Sequence, residues 1–269
     1  MRTFAFLAFV ALVGLIAAGC PEMKENKPAA NAPKPPPPPA PATADDDSVP
    51  VEEVDPRQFA EEQAAADELE KMGFLVVREG PEKVVTSVNF LGNKRAIDKT
   101  ITDLLPSLFR TATFNFADTE LGDEQLKCLR NDRRIVNLIF SGTQVGDAGL
   151  ANLPALGTLA ALYLQNTKIT DAGLVNLAKF SGMTNLDLSN TKVTDRGLSE
   201  IAKCGKLDWL LISGTEITDE GLQSLVDMPN LKRLTLYDTK VTEQGIAALK
   251  ASKPSLFVDS GSRPSPNGI

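Results

Sequence analysis

"NTKITDAGLVNLAK" at residues 166–179 and "NTKVTDRGLSEIAK" at 190–203 are one phrase written twice, 24 residues apart. Working outward, Thr119, Thr143, Thr167, Thr191, Thr215 and Thr239 keep that 24-residue spacing without an insertion. An apolar pair with one residue between precedes each: Phe114/Phe116, Leu138/Phe140, Leu162/Leu164, Leu186/Leu188, Leu210/Ile212 and Leu234/Leu236. A looser, earlier copy begins at Asn93, behind Val88 and Phe90. A fixed period of this size marks stacked supersecondary units.

Each copy holds two periodicities. A strand part such as "TNLDLSN" alternates over three to five residues, and a second part such as "TDRGLSEIAK" puts Leu198, Ile201 and Ala202 on one helical face. Thr194 is placed to cap that helix, with Asp195 in the first turn where the dipole favours an anion; Thr170-Asp171 and Thr218-Asp219 repeat the device. One unit alone buries neither its strand face nor its helix stripe, whereas stacked units share one core.

The consensus LxxLxLxxTxxTDxGLxxL resembles a leucine-rich repeat, in the variety with TDxGL turns found in bacterial proteins and F-box-associated receptors. The resemblance covers about residues 84–258. It implies an α/β solenoid, a right-handed β/α superhelix with a parallel concave sheet and helices on the convex side. The family usually carries Asn or Cys at the ninth position, where this chain has Thr; family Asn side chains bond neighbouring turns in a ladder, and Thr would give a thinner one.

In that geometry the residues beside each buried pair face the concave side in three columns. The first is Thr113, Asn137, Ala161, Asn185, Trp209 and Arg233; the second Asn115, Ile139, Tyr163, Asp187, Leu211 and Thr235; the third Ala117, Ser141, Gln165, Ser189, Ser213 and Tyr237. The chain's one Trp and both Tyr fall in these columns. Aromatic anchors on an open face are typical of binding hot spots. Ile139, Tyr163, Asp187, Trp209, Leu211, Arg233 and Tyr237 are therefore the expected ligand-binding residues, with Tyr163 and Leu211 about 10 Å apart across Asp187. A strand surface also favours aromatics for stability alone.

The ends carry other signals. "MRTFAFLAFVALVGLIAAGC" has a positive start at Arg2, an apolar run from Phe4 to Ala18 and then Cys20. The run is short for a membrane span of roughly 20 residues and fits an export signal at 1–19. Ala17-Ala18-Gly19-Cys20 resembles the lipobox of bacterial lipoproteins, departing from it at Ala17 where Leu is commoner. The resemblance implies a lipid on Cys20 and a location in the bacterial cell envelope, outside the cytoplasm. Residues 20–54, with "PKPPPPPAPA", cannot bury enough surface to fold and read as a tether. Residues 55–90 read as a cap on the array: Asp55-Pro56 starts a helix that Gly73 ends, and "FLVV" and "VVTSVNF" follow as paired strands. The repeat domain is placed at 84–259, "KPSLFVD" would close its far end, and 260–269 would be a disordered tail.

Composition narrows the chemistry. There is no His, which removes the commonest general base and metal ligand. A net charge of −7 argues against nucleic acid as a partner. No phosphate loop or calcium loop occurs, so no cofactor, no metal and no enzymatic activity are expected. Cys128 and Cys204 lie three repeats apart, about 14 Å along the stack, too far for a disulfide. The expectation is a monomeric, membrane-tethered binding module for a protein or glycan. The alternatives are a structural envelope lipoprotein without a dedicated ligand and an F-box-type adaptor.

Overall fold

The computed structural model describes residues 55–91, 97–129 and 134–261. Cys20, the expected export signal at 1–19, the expected tether at 20–54, Asn93 and the expected tail from 262 lie outside them.

The chain opens with helix α1, Pro56–Lys71. Asp55 accepts from the Arg57 N–H at 2.9 Å, and Pro56 fills the first position, where its missing N–H costs nothing. Gly73, at φ +92°, takes the left-handed turn that ends the helix. Strands β1 (Leu75–Glu79) and β2 (Val84–Asn89) then pair antiparallel. A buried ion pair joins α1 to the array: Glu62 accepts from the Arg110 backbone N–H at 3.2 Å and from its Nε at 2.8 Å. The Arg110 guanidinium lies 4.9 Å from the Phe59 ring and 5.5 Å from that of Phe109. After β2 comes helix α2, Lys99–Leu104.

The repeats follow as short strands: β3 Thr113–Asn115, β4 Asn137–Ile139, β5 Ala161–Tyr163, β6 Asn185–Asp187, β7 Trp209–Leu211, β8 Arg233–Thr235 and β9 Phe257–Asp259. Among the described residues the sheet has nine strands in chain order, parallel from β2 onward, with β1 and β9 at its edges. Between the strands run helices α3 (Asp147–Asn152), α4 (Asp171–Leu174), α5 (Asp195–Ile201), α6 (Asp219–Leu222) and α7 (Glu243–Ser252), with 3-10 turns beside several of them. The middle residues of the strands, Phe114, Leu138, Leu162, Leu186, Leu210 and Leu234, share one core with Leu150, Leu174, Leu198 and Leu222 of the helices. Phe90, Phe116 and Phe140 stack along its first turns, at 4.7 and 5.9 Å.

The ladder between repeats is not where the ninth position suggested. Oγ1 of Thr143, Thr167, Thr191 and Thr215 donates to the carbonyl three residues back in its own turn, at 2.6 Å. A hydroxyl this short reaches its own chain before it reaches a neighbour. The rungs are instead the helix-start aspartates. Asp147 accepts from the Thr170 N–H at 2.8 Å and its Oγ1 at 2.6 Å, and Asp171 does the same with Thr194. Asp195 with Thr218 and Asp219 with Thr242 continue the series. Thr170, Thr194 and Thr218 also cap their own helices through Oγ1. The glycine of TDxGL completes the device. A Cβ on Gly173, Gly197, Gly221 or Gly245 would stand 2.0–2.5 Å from the Oδ1 of the preceding repeat's aspartate.

Candidate functional site

The register brings the first two columns of the sequence reading together on the face turned away from the helices. Asn185, Trp209, Arg233 and Phe257 are neighbours in one row; Tyr163, Asp187, Leu211, Thr235 and Asp259 are neighbours in the next. Tyr237 follows β8 by two residues, so strand alternation puts it on the same side.

Their exposure is uneven. Tyr163, Trp209, Leu211, Arg233 and Tyr237 are half-buried, whereas Ile139 is 3 % exposed and Asp187 8 %. Ile139, expected among the ligand-binding residues, therefore presents almost no surface to a ligand. It stands between Asn115 and Tyr163 in register, and on a parallel sheet such neighbours are only about 4.8 Å away and shield one another. Judging each strand by itself misses this.

Asp187 is held by its own chain. Its Oδ1 accepts from the Ser189 N–H at 2.9 Å, as Asn115 does from Ala117 at 3.0 Å and Asn89 from Leu91 at 2.8 Å. This carboxylate closes the end of its strand and does not stand free for a ligand. Burial pushes its pKa above the ordinary carboxylate value, and the bonds from Ser189 pull the other way. The Tyr163 phenol is raised too, first by burial and then by the nearby Asp187 charge. The Tyr237 phenol is pushed up to about 12 by burial and by Asp259 beside it.

The densest cluster lies at β7–β9. The Arg233 guanidinium sits 4.6 Å from the centre of the Trp209 ring, and Asp208 accepts from it at 3.1 Å. Lys232 donates to the other oxygen of Asp208 at 2.8 Å. A stacked, carboxylate-bound guanidinium has little rotamer freedom left to lose on binding. Phe257, 58 % exposed and next to Arg233, extends this row by one strand. The threonine register stops at Thr239 and so did not reach it; adding 24 to Arg233 would have found it.

Among the described residues no group of three His, Cys, Asp or Glu side chains could hold a metal ion, and no helix is long and apolar enough to cross a membrane. Cys128 and Cys204 are free, and burial pushes both thiols up to about 11. Cys128 lines a cleft of about 480 Å³ with Lys99 and Gln125.

Residues 183–202 and 210–226 match the leucine-rich repeat family. The chain carries leucine-rich repeats. Its repeats extend on both sides of that match at the same register, from β3 to β9. No curated protein matches the chain. Among solved structures it is similar to internalin C2 of Listeria monocytogenes, with 19% identity over 77% of this chain and 93% of that one, at a TM-score of 0.48. It is also similar to a second Listeria monocytogenes internalin, with 17% identity over 66% of this chain and 61% of that one, at a TM-score of 0.41.

Proposed function

We propose that this leucine-rich repeat protein is a non-enzymatic binding module, tethered to a membrane by lipid on Cys20, and that the open face of its sheet takes a protein partner outside the cytoplasm. One observation carries the reading. The chain's only Trp lies on that face, with Arg233 stacked on it and Tyr163, Leu211 and Tyr237 around it. Trp, Tyr and Arg are the residue types that dominate protein interfaces energetically. Partners meet this surface at Trp209 and Arg233 first, with Tyr163, Leu211 and Tyr237 at its rim. Ile139 and Asp187 support it from beneath.

The test is a comparative capture from solubilised envelopes with wild type, Trp209→Ala and Tyr163→Ala. A specific partner should be retained by wild type and lost by both variants, with thermal unfolding little changed. Equal capture by all three would overturn the assignment of the face. Radiolabelled palmitate on wild type and on Cys20→Ser tests the anchor separately, and label on the Cys20→Ser chain would refute lipidation there.

A further inference from the structure

The last strand of the sheet ends in an open row of backbone groups. In each earlier repeat the carbonyl just before the strand accepts from the next strand: Ala112 from Asn137, Val136 from Ala161, Ala160 from Asn185, Thr184 from Trp209, Asp208 from Arg233 and Lys232 from Phe257. Leu256 holds that position in the last repeat. Likewise the N–H just after each strand donates forward, as Ile212 does to Thr235 and Leu236 does to Asp259. Ser260 holds that position. The parallel ladder alternates, so Val258 turns both its N–H and its C=O outward between them. Among the described residues, no strand pairs with β9 on that side and only Ser260 and Gly261 follow it.

This row is self-complementary. Placed antiparallel to a second copy about a two-fold axis at Val258, the N–H and C=O of Val258 meet the C=O and N–H of the second copy's Val258. Leu256 C=O then meets the second copy's Ser260 N–H, and the reverse. Four hydrogen bonds close, and the Leu256 N–H is already bonded to the Lys253 carbonyl. The side chains agree with that pairing. Leu256 and Val258 are buried on the helix side, so the apolar row continues across the axis. Phe257, 58 % exposed on the other side, becomes a diagonal neighbour of the second copy's Phe257, at the roughly 7–8 Å that aromatic side chains can bridge. Asp259, which would face the second copy's Phe257, already has the Tyr237 phenol as a partner. The segment after Gly261 contains Pro264 and Pro266, which have no N–H to offer the waiting carbonyls.

We propose that β9 is a self-association edge, through which two copies join end to end by antiparallel pairing centred on Val258. The open sheet then runs unbroken through two copies of nine strands and presents two Trp209 surfaces side by side. The proposal goes beyond the binding-module reading and does not depend on it. A strand pair this short sits below the area of a stable dimer, about 800 Å² per partner, so the association is weak and rises with protein concentration.

Site-directed disulfides in the full chain test the register. Phe257 and the second copy's Asp259 form a non-hydrogen-bonded cross-strand pair, with Cβ atoms close enough for a disulfide. A mixture of Phe257→Cys and Asp259→Cys chains should give a crosslinked dimer under mild oxidation, and Thr235→Cys mixed with Phe257→Cys should not. Adding Ser260→Pro to both chains removes one outward N–H without touching the core and should abolish the crosslink. The idea is overturned if the mixture stays monomeric, if the Thr235 control crosslinks equally, or if the crosslink survives Ser260→Pro. It is also overturned if crosslinking appears only after residues 262–269 are deleted, since the tail would then be the occupant.

Discussion

Gly197→Ala isolates the ladder that holds one repeat to the next. Gly197 lies within α5 and has no left-handed φ, so Ala is sterically allowed by the backbone and would raise helix propensity by about 1 kcal/mol. The obstacle is the neighbouring repeat. The new methyl would lie 2.5 Å from Asp171 Oδ1, 2.7 Å from Val193 Cγ1 and 2.8 Å from Leu174 Cδ1. Asp171 must give way, and it holds two bonds, to the Thr194 N–H and Oγ1. Hydrogen bonds to a charged acceptor contribute about 1.5–3 kcal/mol each when buried, and less at this half-buried site. Overpacking adds about 1–3 kcal/mol. Set against the propensity gain, the net loss should be about 2–4 kcal/mol. Urea unfolding at neutral pH reads it directly. Gly205→Ala, where a Cβ meets nothing within 4 Å, is the control and should shift stability by less than about 0.5 kcal/mol. The decisive measurement is a double-mutant cycle. With Asp171→Ala in place the methyl has more room, so Gly197→Ala should cost at least about 1 kcal/mol less than in wild type. Strict additivity, or a Gly197→Ala variant as stable as wild type, would refute the ladder as the element that requires this glycine.

Three further outcomes follow from other parts of the structure. Glu62→Gln should cost about 3–5 kcal/mol by stranding the buried Arg110, while Glu62→Leu with Arg110→Met should recover most of it; calorimetry of both variants beside wild type checks this. Asp187 has a folded pKa raised above 3.8, so its stabilising contribution is complete below that value and is lost as pH rises from there toward the raised pKa. Stability curves of wild type and Asp187→Asn should therefore diverge in that window, with wild type losing ground as pH increases. Cys128 and Cys204, with thiols pushed up to about 11, should react with a thiol-specific disulfide reagent at neutral pH only slowly in the folded chain, and fast in denaturant.

Much of this fold was legible because the repeat period is shared by strand, turn and helix. Once Thr119 to Thr239 fixed the register, the strand pairings from β3 to β8 followed, and Trp209 and Tyr163 had to share a face. What stayed hidden were contacts between repeats. Thr194 was readable as a cap, but the two bonds it gives to Asp171 link positions 23 residues apart, and no local propensity reports them. The shielding of Ile139 was hidden for the same reason, since it depends on Asn115 and Tyr163 in adjacent strands. The stacking of Arg233 on Trp209 was implicit in the columns, which place the two residues in one row, yet a column gives adjacency and not side-chain direction.

Departures from the consensus become intelligible once the ladder is known. The rung position before Asp123 is Lys99, which offers no carboxylate, and the glycine position of the following repeat is accordingly Gln125. The Asp123 carboxylate accepts from the Gly146 N–H at 2.7 Å, and Gly146, standing where later repeats have Thr, has no hydroxyl to add a second bond. Gly149 is the first glycine at this position of the repeat, and a Cβ there would stand 2.6 Å from Asp123 Oδ1. At the other end Glu243 replaces Asp after Thr242. Among the described residues no further helix lies beyond α7 to receive it. The longer acid is tolerated where no rung has to be made. The TDxGL motif is thus a joint between neighbours, in which Asp serves the repeat ahead and Gly makes room for the repeat behind. Asp219→Glu should disturb the joint with Thr242 by lengthening a rung, whereas Glu243→Asp should leave stability unchanged, although both are single-methylene changes at equivalent positions.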